Sequence, residues 1–230
     1  MQVSKIKAYL QTYRDWQLSD AGLAFRPLWE TQLNWQTHFE LTAKDLKTVY
    51  SLALDNKTNR RHYSRSGFNP KVAMLEMLDW EPEHVRTIFE DLFNEERDLE
   101  GRIQRFVFYC RELFNQYRDA RPKSKLADHY HDHDYHMASI YLTGQYPAKY
   151  APYSTELLQQ VLTKLGALDI PPSADFPRYT KLLITLRQFL VNDEHIMQHY
   201  SEEFLRSQDY QEESALLVWH FMQHITKEEE

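Results

Sequence analysis

The chain has 230 residues, a formal net charge of −7 and one cysteine, Cys110. That length can bury a core without a disulfide or a structural metal, and the acidic balance excludes a uniformly basic nucleic-acid coat while leaving local basic patches open. No run approaches the roughly 20 apolar residues that span a bilayer, and Met1 to Lys7 mixes charged and apolar residues instead of forming a secretion signal; a cytoplasmic protein without membrane contact is expected.

Five glycines and a pervasive 3.6-residue apolar period predict an all-α fold. The expectation is one irregular multi-helix domain over residues 1–230, with about nine to ten helices and two helical lobes as the variant arrangement. Val3, Ile6, Leu10 and Tyr13 share one face of a first helix. Pro27 opens a second with Leu28, Trp29, Leu33 and Trp35, and Thr42 is read as the cap of a third that carries Leu46, Val49, Tyr50 and Ala53. A polar loop at 55–68 is the candidate hinge. Asn69 and Pro70 then form an N-cap and first-turn proline ahead of Val72, Leu75 and Leu78.

After Pro82, the residues Val85, Ile88, Phe89, Leu92 and Phe93 make a core-facing stripe. A long strut follows over about 98–117, where Leu99, Ile103, Phe106, Cys110, Leu113 and Tyr117 alternate four- and three-residue steps, which makes Cys110 a buried thiol. Leu157, Leu158, Val161, Leu162 and Leu165 run to Gly166, a left-handed stop. A proline-bearing loop at 170–177 separates them from Tyr179, Leu182, Leu183, Leu186, Phe189 and Leu190. Two further helices are expected near 196–205 and 210–225. The run 227–230 is a charged tail or the start of a linker.

Three features carry candidate chemistry. If residues 128–144 are helical, His129, His133 and His136 share a face with Asp132, a donor set suited to Zn or Fe. The same residues also suit a plain helix start, with Asp128 at the positive end and Asp132 pairing with His136. His195/His199 and His220/His224 repeat the four-residue spacing, but a zinc protease needs Glu after the first His, where Ile196 and Phe221 stand. The second feature is the acid-free loop at 56–69, in which Lys57, Arg60, Arg61 and Arg65 mix with His62, Tyr63 and Phe68. Guanidinium forks for phosphate beside rings for base stacking make it a nucleic-acid-binding candidate. Arg118, Arg121, Lys123 and Lys125 form the third, a second basic cluster just after the strut, where positive charge also complements the helix dipole.

The order Val85-Arg-Thr-Ile-Phe-Glu-Asp-Leu-Phe93, Leu99-Glu-Gly-Arg-Ile-Gln-Arg-Phe106, His129-Tyr-His-Asp132, Ile140-Tyr-Leu and Tyr146-Pro-Ala-Lys-Tyr150 resembles the helical N-terminal region of McrB-like AAA ATPases of modification-dependent restriction systems, over about residues 82–153. The resemblance implies a non-enzymatic recognition or accessory module that needs no cofactor and has DNA or a partner subunit as its target. It also implies an AAA ATPase domain further along the full protein. The matched positions are Asp132, Tyr141, Tyr146, Lys149 and Tyr150. No Gly-x-x-x-x-Gly-Lys-Ser/Thr loop occurs, so nucleotide hydrolysis is carried over to no residue of this chain. The rival expectations are a metal-dependent helical enzyme built on His129, Asp132, His133 and His136, and a pure protein-interaction scaffold.

Overall fold

The computed structural model describes residues 1–57, 59 and 68–227. Among them the fold is all-helical and no β-strand forms. In chain order the helices are α1 (Val3–Trp16), α2 (Asp20–Leu23), α3 (Pro27–His38), α4 (Leu46–Ala53), α5 (Pro70–Trp80) and α6 (Pro82–Phe93). They continue as α7 (Leu99–Ala120), α8 (His136–Gln145), α9 (Thr155–Lys164), α10 (Phe176–Val191), α11 (Glu194–Gln198) and α12 (Leu216–Lys227). The backbone of α11 widens at its end into a π-helical turn, His199–Phe204. The short α2 is a segment that the apolar period alone does not separate, while α11 and its π-helical turn cover the helix expected near 196–205. No helix of the described residues is long and apolar enough to cross a membrane.

Two compact units result, and neither boundary falls in the 55–68 loop. One combines Met1–Glu30 with Tyr146–Glu230; the other is Thr31–Gln145, so its edges lie inside α3 and just after α8.

In the Thr31–Gln145 unit, α6 and α7 form the centre, with α5 against both and α8 packed on them. The α6 stripe predicted from the period is buried in full: Val85, Ile88, Phe89, Leu92 and Phe93. Helix α7 starts where Asp98 accepts the Gly101 amide at 2.6 Å, and it carries Glu100 in its first turn and Arg118 in its last, each at the favourable end of the dipole. Its buried face is Ile103, Phe106, Cys110, Leu113, Phe114 and Tyr117, and burial pushes the Cys110 thiol far above its usual range, which leaves it inert. Two arginines fix α7 to α6: Arg102 donates to the Leu92 carbonyl at 2.9 Å, and Arg105 grips Asp91 at 2.7 Å. Asp45, not Thr42, caps α4, accepting the Thr48 amide at 3.0 Å; Thr42 instead donates to Glu40 in the preceding turn.

Gly144 lies in α8 where a Cβ would stand 2.6 Å from the buried Trp35 ring. Gly144→Ala should therefore destabilise this unit by about 1–3 kcal/mol through overpacking, read as a shift in its denaturation midpoint at unchanged slope.

In the other unit, α12 is the hub, packed by α1, α9 and α10. Nearly every side chain from Leu216 to Met222 is buried, because this helix is apolar on most of its circumference. Trp29 donates its indole proton to the Tyr200 hydroxyl at 2.7 Å, and the Tyr210 amide donates to the Trp29 carbonyl at 3.1 Å. Helix α9 ends on Gly166 at φ +68°, the left-handed stop expected from the sequence.

Candidate functional site

The histidine-rich segment is not helical before His136. Three non-glycine residues, Tyr130, Asp134 and Tyr135, take left-handed backbone angles of φ 62°, 49° and 55°, and each breaks the helical path that the four-residue spacing invites. The expected shared face of His129, Asp132, His133 and His136 is therefore not formed. The Asp132–His136 pair of the plain helix start is replaced as well: Asp132 Oδ2 takes the Arg111 guanidinium at 3.0 Å and faces His129 Nε2 at 3.7 Å.

The buried histidines have fixed proton positions. His131 Nδ1 donates to the His129 carbonyl, since a carbonyl can only accept, and its Nε2 therefore accepts the Tyr141 hydroxyl at 2.9 Å. Tyr141 in turn accepts from Tyr50 at 2.8 Å, giving a directional chain from Tyr50 through Tyr141 to His131. Burial drives the His131 pKa down to about 3, with His129 adding to the effect, so the ring is neutral. His129 Nδ1 accepts the His131 amide at 3.2 Å, which leaves its proton on Nε2. Burial also lowers its pKa, against the pull of Asp132 and Asp128.

The other histidine pairs are divided. His220 and His224 are fully buried, while His195 is exposed and His199 partly so. His220 Nε2 donates to the Gly22 carbonyl at 3.0 Å, so Nδ1 accepts the Tyr13 hydroxyl at 2.7 Å. Both nitrogens are engaged in holding α1 and α2 to α12.

Of the basic loop, Lys57 is exposed, while Arg60, Arg61 and Arg65 lie outside the described residues. The second basic cluster is placed in full. Arg118, Arg121, Lys123 and Lys125 are all exposed, on the last turn of α7 and the extended segment after it. Arg118, Arg121 and Lys125 line a surface concavity of about 690 Å³ with Asn115 and Ser124. Rings beneath hold two of the guanidinium groups: Arg118 lies 5.9 Å from the Phe114 centroid and Arg121 5.4 Å from that of Tyr117. Asp119 is the acid in the rim, and Glu76 reaches Arg121 at 3.8 Å. The sequence carries the signal for this cluster, but its place just after a helix end also suits a dipole complement.

The positions matched by the family resemblance fall in both units. Asp132 and Tyr141 belong to Thr31–Gln145, where Tyr141 is core; Tyr146, Lys149 and Tyr150 belong to the other unit. There Tyr150 is buried, and Lys149 lies 5.7 Å from the Tyr146 centroid. Comparison with family models, with curated proteins and with solved structures gave no match.

Proposed function

We propose that the chain is a non-catalytic helical recognition module that binds DNA through phosphate contacts made by Arg118, Arg121, Lys123 and Lys125. The observation that carries this reading is the cationic rim itself: four exposed cations on about eight residues, two of them over aromatic rings and three of them lining a concavity with the Asn115 amide. Guanidinium groups held in place lose less freedom on meeting a phosphate than free side chains do, so the rim suits that ligand better than a flexible lysine run. The resemblance to the N-terminal regions of McrB-like ATPases supports the same reading and adds a motor domain to the full protein. Lys57, Arg60, Arg61 and Arg65 are proposed as a second phosphate-contacting element.

Binding of a fluorescent duplex at a series of salt concentrations tests this. A rim variant with all four cations replaced by alanine should lower the slope of log affinity against log salt by roughly 2–4, at about 0.9 per lost phosphate contact. The corresponding variant of Lys57, Arg60, Arg61 and Arg65 should lower it further and independently. Duplex binding with the same slope in both variants, or no binding at low salt, would overturn the proposal.

A further inference from the structure

In the loop at 128–136, two carboxylates flank one imidazole, whose Nε2 is hydrogen-bonded to Asp128 and lies close to Asp132. Each carboxylate has one oxygen committed elsewhere: Asp128 Oδ1 accepts the Tyr130 amide at 3.0 Å, and Asp132 Oδ2 accepts Arg111 at 3.0 Å. The second oxygens both face His133 Nε2. Asp128 Oδ2 stands 3.3 Å and Asp132 Oδ1 3.6 Å from His133 Nε2. Donors that share one cation at about 2.0–2.2 Å, at angles of about 90–110°, lie roughly 2.8–3.6 Å apart, and both distances to His133 Nε2 fall there; a cation would take the place of the proton that Nε2 shares with Asp128 Oδ2.

His129 is also near, its ligating nitrogen within 4.8 Å of carboxylate oxygens of Asp128 and Asp132. Its tautomer settles its part differently. With Nδ1 accepting the His131 amide, Nε2 bears the proton and has no lone pair for a cation; it faces Asp132 Oδ2 as a donor. Arg111 and His129 thus orient Asp132 from one side and turn its other oxygen toward His133. Charge favours a cation as well, because two carboxylates against one guanidinium leave the loop with a net negative charge.

We propose that Asp128, Asp132 and His133 bind a divalent transition cation of the Zn²⁺ or Mn²⁺ type, with water in its remaining positions because His133 is exposed. The left-handed turn at Tyr130, between the two residues, folds the chain so that Asp128 meets a side chain five residues on, a closure that a helix would not give. The site involves none of the four rim cations and does not depend on DNA binding.

The test uses the full chain, stripped with chelator and titrated calorimetrically with ZnCl₂ and with MnCl₂. One saturable cation per chain is expected, with affinity falling at least about tenfold in His133→Ala and in Asp132→Asn and unchanged in His195→Ala. His133 is exposed, so its replacement keeps the fold, which circular dichroism verifies. Absence of saturable binding by either metal, or equal affinity in parent and His133→Ala, would overturn the assignment.

Discussion

Acidification below pH 6.5 should destabilise the unit built on α12 by about 1.4 kcal/mol per pH unit through His220 alone. The ring is held neutral because burial lowers its pKa to about 3; the Gly22 carbonyl pulls the other way, and His224 and Lys227 lower it further. In the unfolded chain the same imidazole titrates near 6.5. Between those two values the unfolded state carries a proton that the folded state refuses, so stability is complete above pH 6.5 and declines as pH falls toward 3. His220→Gln keeps hydrogen-bonding capacity but cannot titrate. Denaturation at pH 7, 6, 5 and 4 should show the parent losing its advantage over the variant steadily across the series. A constant difference would mean that His220 is charged in the folded protein, or that water reaches it.

Replacing Tyr141 should have an effect of similar size in the other unit. Its ring is fully buried among Phe89, Phe106 and Trp35, with centroids 5.1, 5.9 and 5.7 Å away, and its hydroxyl links Tyr50 to His131. Tyr141→Phe removes only the hydroxyl, so the buried His131 Nε2 loses the hydrogen bond that Tyr141 gave it, at about 1–3 kcal/mol. Tyr141→Ala also opens a cavity and should cost about 3–5 kcal/mol. Amide hydrogen exchange resolves the two units separately, which a single melting curve does not. A Tyr141→Phe loss below a few tenths of a kcal/mol would show that the hydroxyl chain contributes nothing to stability.

The helices were legible because apolar spacing has a direct physical reading: a stripe such as Val85 to Phe93 has one way to leave water, and α6 takes it. Prolines at the first turn and the glycine after α9 marked ends for the same reason. The 128–136 loop was not legible. Its turns are made by tyrosine and aspartate in a backbone region that usually calls for glycine, so the residue types gave no warning and the histidine spacing suggested a helix. Distances of five residues or fewer also say nothing about which oxygen of a carboxylate is already taken, and that detail separates a ligand from an orienting group here. Two lobes were open as the variant arrangement, but their edges escaped the sequence because they fall within α3 and directly after α8, with no proline- or glycine-rich linker to mark them.

The unit that joins Met1–Glu30 to Tyr146–Glu230 is discontinuous along the chain, and Tyr13 meets His220 across 207 positions. On a ribosome, therefore, α1 emerges well before α10, α11 and α12, the helices it packs against, have been translated. The intervening Thr31–Gln145 stretch holds its own partners and can collapse while synthesis continues. For that interval the apolar face of α1 has no packing partner from the later part of its unit.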